Sequence, residues 1–174
     1  ANKGMRADPI FVTAIADSNG NIISEFTPSQ TEVITEDGYY KILSMLLNVV
    51  DSGTGNRLRR APYNLTAQIG GKTGTTNSNS DGWFMSFTPD LVSGAWVGGE
   101  ERYIHFNSNA NGQGAAMALP IFGKYMTKVY ADTSLPYSQT TRFEFPAGLD
   151  LCGGSGYFVE EKEEVEEGIS GAFD

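Results

Sequence analysis

One stretch constrains this chain more than any other: an alternating run that ends in glycines, a lysine and threonines. Leu65, Ala67 and Ile69 alternate with Thr66 and Gln68, the pattern of a strand with one buried face. Carried forward on a period of two, Lys72 falls on the face of Thr66 and Gln68. The run continues through Gly70, Gly71, Lys72, Thr73, Gly74, Thr75 and Thr76. Such a strand gives up side-chain packing for access to its backbone. Glycine lets another chain or ligand lie close, and Lys and Thr supply donors for an anion.

A phosphate-binding loop would need glycine at position 66, where Thr66 stands, and a helix start after it. The actual continuation, Thr75-Thr76-Asn77-Ser78-Asn79-Ser80-Asp81-Gly82, opens a helix poorly. Other function classes fall to composition. A net charge of −9 argues against a nucleic-acid surface, which needs clustered Lys and Arg. The single cysteine, Cys152, excludes an internal disulfide, and with the single histidine, His105, leaves no zinc-type cluster, so no metal is expected. No stretch approaches the ~20 apolar residues of a membrane span, and nothing resembles a signal peptide. The start on Ala1 without a methionine suggests processing or a cut.

Along the chain, residues 9–16 read as a strand, Asp17, Ser18, Asn19 and Gly20 as a hairpin turn, and residues 21–26 as the returning strand. Asp17, Asn19 and Asn21 are spaced like a calcium loop, but its glycine belongs at the sixth position and Gly20 is fourth. Thr35, Glu36 and Asp37 start a helix in which Tyr39, Ile42, Leu43, Leu46, Val49 and Val50 recur at helical spacing. Ser52, Gly53, Thr54 and Gly55 end it. Residues 56–64 carry Arg57, Arg59 and Arg60 and read as a small solvated basic loop. Residues 81–88 and 91–98, joined at Pro89-Asp90, form an aromatic hairpin apolar enough on both faces for a covered sheet. His105, in a polar loop, reads as surface or packing. Residues 115–130 read as a helix with Leu119, Phe122, Met126 and Val129 on one face, which Pro120 either kinks or starts. Residues 160–167 hold six acids against one lysine and read as a solvated tail. The order of strands and helices indicates an α+β domain with one antiparallel sheet of about five strands.

Several motifs now resemble one family in order and spacing. Gly71-Lys72-Thr73-Gly74-Thr75-Thr76 is similar to the Lys-Thr-Gly element of penicillin-binding proteins and serine β-lactamases. The opening Ala1-Asn2-Lys3-Gly4-Met5-Arg6 resembles the segment that opens the sheet in transpeptidase domains of bifunctional (class A) penicillin-binding proteins. The helix end from Leu47 to Gly55, the run from Asp81 to Leu91, and Gly94-Ala95-Trp96-Val97-Gly98 resemble the same domain. The likeness covers about residues 1–130. It implies the sheet subdomain of the penicillin-binding protein/serine β-lactamase fold, incomplete, over residues 1–134, with a C-terminal extension and acidic tail over 135–174.

The resemblance implies a peptidoglycan D,D-transpeptidase, a β-lactam target, in which a serine attacks a D-Ala-D-Ala carbonyl and an amine resolves the acyl-enzyme. It implies catalytic roles for Lys72, a charge beside the serine, and Thr75, whose backbone N–H is an oxyanion-hole donor. Thr73, Gly74, Thr75 and Thr76 would bind substrate, with no cofactor. The family's Ser-x-x-Lys and Ser-x-Asn elements do not occur here: residues three before Lys41, Lys72, Lys124, Lys128 and Lys162 are Gly38, Ile69, Ile121, Tyr125 and Val159. The chain alone is therefore expected to be inactive. The parent would work on the extracytoplasmic (periplasmic) face of a membrane, anchored by a segment outside this sequence. Apolar faces around Trp83, Phe84, Met85 and Trp96 would be partly exposed and favour self-association. A non-catalytic peptide- or wall-binding module and a β-lactamase-like hydrolase fragment are the alternatives.

Overall fold

The computed structural model describes residues 2–149. Cys152 and the acidic run of residues 160–167 lie outside them. The described chain is α+β, with antiparallel sheets and helices, as expected. The strands divide among three sheets, where one of about five had been expected. β1 (Met5–Ala7) pairs with β4 (Gln30–Glu32), β2 (Ala14–Ala16) pairs with β3 (Ile22–Glu25), and β5 (Gly70–Thr75), β6 (Asp81–Phe87) and β7 (Val92–Gly98) form a three-stranded sheet.

The first expected strand is shorter than its apolar run. Only residues 14–16 pair, because the ladder closes where the Phe26 N–H meets the Thr13 carbonyl at 2.8 Å. The turn between β2 and β3 is closed by Asp17, whose carboxylate accepts the N–H groups of Asn19 and Asn21, each at 2.9 Å, and the Asn21 side-chain amide at 2.8 Å. These bonds, led by the Asn21 side chain, hold the Asp17 carboxyl below its ordinary range. The acid is a turn residue.

α1 (Glu36–Asp51) starts at Thr35, whose hydroxyl accepts the Gly38 N–H at 3.3 Å. Its buried stripe is Tyr40, Leu43, Ser44, Leu47 and Val50, turned from the expected one: Ile42 is exposed, and Tyr39, Leu46 and Val49 are only partly covered. With apolar residues on both sides of the stripe, the packing partner sets the rotation. That partner includes Phe87, Phe143 and Phe145, which gather on Tyr40, Leu43 and Leu47.

Two single turns, α2 (Asn109–Gly112) and α3 (Gly114–Met117), precede α4 (Leu119–Ala131). Pro120 sits in the first turn of α4, where a missing N–H costs nothing, so it starts the helix. Leu119, Phe122, Met126 and Val129 are buried as their spacing predicts. Phe122 meets Phe84 of β6 with ring centroids 5.2 Å apart, at the centre of the main core.

The arginine loop is not simply solvated. Leu58 is fully buried. Arg59 donates through Nε to Asp51 Oδ1 at 2.9 Å and through one terminal nitrogen to the Leu65 and Ala67 carbonyls at 2.8 and 2.7 Å. It ties the end of α1 to the chain entering β5. Arg59→Ala is expected to destabilise the protein by about 2–3 kcal/mol, since it removes the charge-assisted bonds to Asp51 and to two carbonyls. Arg59→Lys restores little, because an ammonium cannot reproduce the planar fork. Urea midpoints of the two variants check this.

Candidate active-site edge

The expected strand of residues 65–69 is irregular chain with a bend at Ala67; it keeps the predicted alternation but has no strand partner among the described residues. Leu65, Ala67 and Ile69 are buried, and Thr66 is exposed. Regular pairing begins only at Gly70, opposite Phe87, because β6 turns away after that residue. The preceding backbone is satisfied otherwise: Gln139 Oε1 accepts the Thr66 N–H at 2.8 Å, and Arg59 takes the two carbonyls. β5 itself carries the glycines, Lys72 and the threonines.

The register tells which backbone groups of β5 look outward. The Thr76 N–H donates to the Asp81 carbonyl at 3.0 Å. Counting back through an unbroken antiparallel ladder, residues 74, 72 and 70 exchange bonds with β6. Thr73 and Thr75 then direct their own N–H and C=O away from β6. Among the described residues β5 is the outer strand of this sheet, so these groups line an open edge.

Side chains divide the same way. Lys72 is exposed on the face that also carries Trp83, Met85 and Trp96, which are 45%, 47% and 47% exposed. Phe84, expected to share that exposure, is fully buried, because it is one residue out of phase with Trp83 and points at α4. One face of the hairpin is buried against α4; the other is covered only in part, where Phe87 packs on α1. Lys72 Nζ donates to the Thr73 carbonyl at 2.8 Å, which brings the ammonium back over the open edge.

Thr73 and Thr75 project from the opposite face, and each hydroxyl has a partner from a distant segment. Thr73 Oγ1 lies 3.1 Å from Thr54 Oγ1, in the loop that ends α1. Thr75 Oγ1 accepts the Gly114 N–H at 3.0 Å. Gly114 gets that close because it has no side chain: a Cβ there would stand 2.3 Å from the Gly74 carbonyl oxygen and 2.5 Å from that of Trp83. Neither Thr54 nor Gly114 was expected at the site. The only hint of Thr54 in the sequence was its place between two glycines. Thr76 differs from its neighbours: its hydroxyl accepts the Asp81 N–H at 2.8 Å and lies 3.0 Å from Ser80 Oγ, so it is taken up in the turn to β6.

The edge therefore presents one ammonium, two hydroxyls and outward N–H and C=O groups within a few residues. It can pair with an extended peptide and hold a carboxylate at the peptide's end. His105 stands apart, exposed in the loop after β7, beside a cavity of about 310 Å³ lined by Val97, Ile104 and Phe106. No group of three or more potential metal-ligating acids, histidines or cysteines occurs among the described residues.

Residues 1–125 match the model of the penicillin-binding protein transpeptidase domain. The chain is 35% identical over 161 residues to penicillin-binding protein 1A of Rickettsia prowazekii, an alignment covering 79% of this chain and 20% of that protein. It is 36% identical over 141 residues to penicillin-binding protein 1A of Aquifex aeolicus, covering 78% and 18%. The chain thus spans about a fifth of the length of these relatives. The crystal structure of penicillin-binding protein 1A from Haemophilus influenzae shares the fold, with a TM-score of 0.61 at 20% identity over 83% of this chain and 26% of that one.

Proposed function

Because this chain belongs to the penicillin-binding protein transpeptidase family, we propose that it supplies the substrate-binding strand of a D,D-transpeptidase that cross-links peptidoglycan stem peptides and is acylated by β-lactams. The observation that carries this reading is the open edge of β5. A peptide ending in D-Ala-D-Ala lies antiparallel along it, pairing with the outward backbone groups of Thr73 and Thr75. Gly74 keeps the strand free of side-chain bulk there. The terminal carboxylate is taken by the Thr73 and Thr75 hydroxyls in the field of Lys72.

The reaction needs a serine, which these residues do not provide in the Ser-x-x-Lys pattern. In our reading the nucleophile comes from a part of the protein outside this sequence. It attacks the carbonyl of the penultimate D-Ala, and the oxyanion that forms is held by the Thr75 N–H, already aimed outward by the register of β5. Collapse expels the terminal D-Ala, and an amine from a second stem peptide resolves the ester. Lys72 favours the negative charge that develops and assists proton movement at the serine. Thr76 contributes by fixing the end of β5, its hydroxyl engaged with Asp81 and Ser80 and not with substrate. The work is done on the extracytoplasmic side of the membrane, where the cell wall is. The half-exposed face of Trp83, Met85 and Trp96 is available to the remainder of the domain or to a second copy.

Intact-mass analysis after incubation with a reactive penicillin tests this assignment. The chain alone is expected to gain no adduct, and the complete transpeptidase containing it one. An adduct on the chain alone would mean that one of its own serines is activated, and the reading would fall. Binding of a D-Ala-D-Ala peptide with no adduct on the complete protein would favour a non-catalytic wall-binding module.

A further inference from the structure

We propose that Thr54 is a positioning residue that orients the Thr73 hydroxyl toward the substrate carboxylate, a role that rests on the transpeptidase reading above. The two hydroxyls on β5 are oriented by different means. Thr75 Oγ1 accepts the Gly114 N–H, so its own proton is free to point outward to an anion. Among the described residues Thr73 Oγ1 has no backbone donor of this kind. Its partner is the hydroxyl of Thr54 at 3.1 Å, and either oxygen can be the donor. A carboxylate at the edge removes that ambiguity. Thr73 gives its proton to the anion, and its lone pair accepts the proton of Thr54. The result is a chain of two bonds in one direction, each polarising the other.

The loop is built to hold Thr54 at this point. The N–H groups of Ser52 and Gly53 both reach the Asn48 carbonyl, at 3.0 and 2.9 Å, and that of Gly55 reaches the Val49 carbonyl at 2.8 Å. The loop therefore lies flat on the last turn of α1. At Gly53 a Cβ would stand 2.9 Å from both Cα and O of Val49, so a larger residue would lift the loop. Thr54 itself is exposed and outside the core clusters, so replacing it removes the hydroxyl and little else.

The test compares acylation of the complete transpeptidase by benzylpenicillin and by its uncharged methyl ester. Thr54→Val is expected to slow acylation by the acid about three- to tenfold, the scale of one hydrogen bond to a charged network. The loss should fall on the apparent affinity, not on the limiting rate. Acylation by the ester should be unchanged, and Thr54→Ser should restore the acid to within about twofold of the parent. Equal slowing with acid and ester, or no slowing with the acid, would overturn the role of Thr54. Lys72→Ala run alongside separates the two levels: if it too leaves acylation by the acid unchanged, the transpeptidase reading itself is wrong.

Discussion

Lys72→Ala in the complete transpeptidase is expected to slow penicillin acylation by about two to four orders of magnitude, with no loss of thermal stability. The rate falls because the ammonium on the open edge of β5 is removed. Its charge serves both the bound carboxylate and the proton transfers at the serine. Stability is untouched because Lys72 is exposed and its ammonium bonds to the adjacent Thr73 carbonyl. Lys72→Arg should recover part of the carboxylate attraction and little of the rate, since a guanidinium keeps the charge but does not give up a proton. Stopped-flow acylation with a chromogenic β-lactam separates the two. A slowing of less than threefold for the alanine variant would remove Lys72 from the reacting centre.

Phe84→Ala is expected to cost about 3–5 kcal/mol, the largest stability loss for any single replacement in the sheet. Phe84 is fully buried, packs on Phe122, and lies directly across the ladder from Thr73. Its ring also sits beneath Gly71, where a Cβ would come within 3.0 Å of it. Losing the ring leaves a cavity under the strand that carries the site, so β5 should lose rigidity along with stability. Urea denaturation should move the midpoint down by roughly 2 M, given slopes of about 1–3 kcal/mol per molar. Phe84→Leu should recover much of the difference. Trp83→Ala, one residue away on the half-exposed face, should cost far less despite the larger side chain. Equal losses at positions 83 and 84 would show that the open face is covered in solution.

The sequence by itself determined what depends on neighbours a few residues apart. Asp17, Asn19 and Gly20 make the first hairpin turn, Thr35 caps α1, Pro120 starts α4, and Pro89-Asp90 joins β6 to β7. The same local period put Lys72 on the exposed face with Thr66, and the order of the motifs was enough to indicate the family. Each of these follows from φ preferences, caps and side-chain alternation, which act within one turn or one pleat.

Only the tertiary structure decided the rest. The chain of residues 65–69 stays outside the sheet because β6 ends opposite Gly70, leaving its backbone to Arg59 and Gln139. The buried stripe of α1 turned to Tyr40, Leu43 and Leu47 because the aromatics that cover it come from residues 87, 143 and 145. Arg59 left its apparent loop to join two elements. The two hydroxyls of the site acquired their partners across long separations, Thr73 with Thr54 nineteen residues earlier and Thr75 with Gly114 thirty-nine residues later. Periodicity says which face a residue lies on. It does not say what stands opposite that face, and at this site the groups opposite are the Thr54 hydroxyl and the Gly114 N–H.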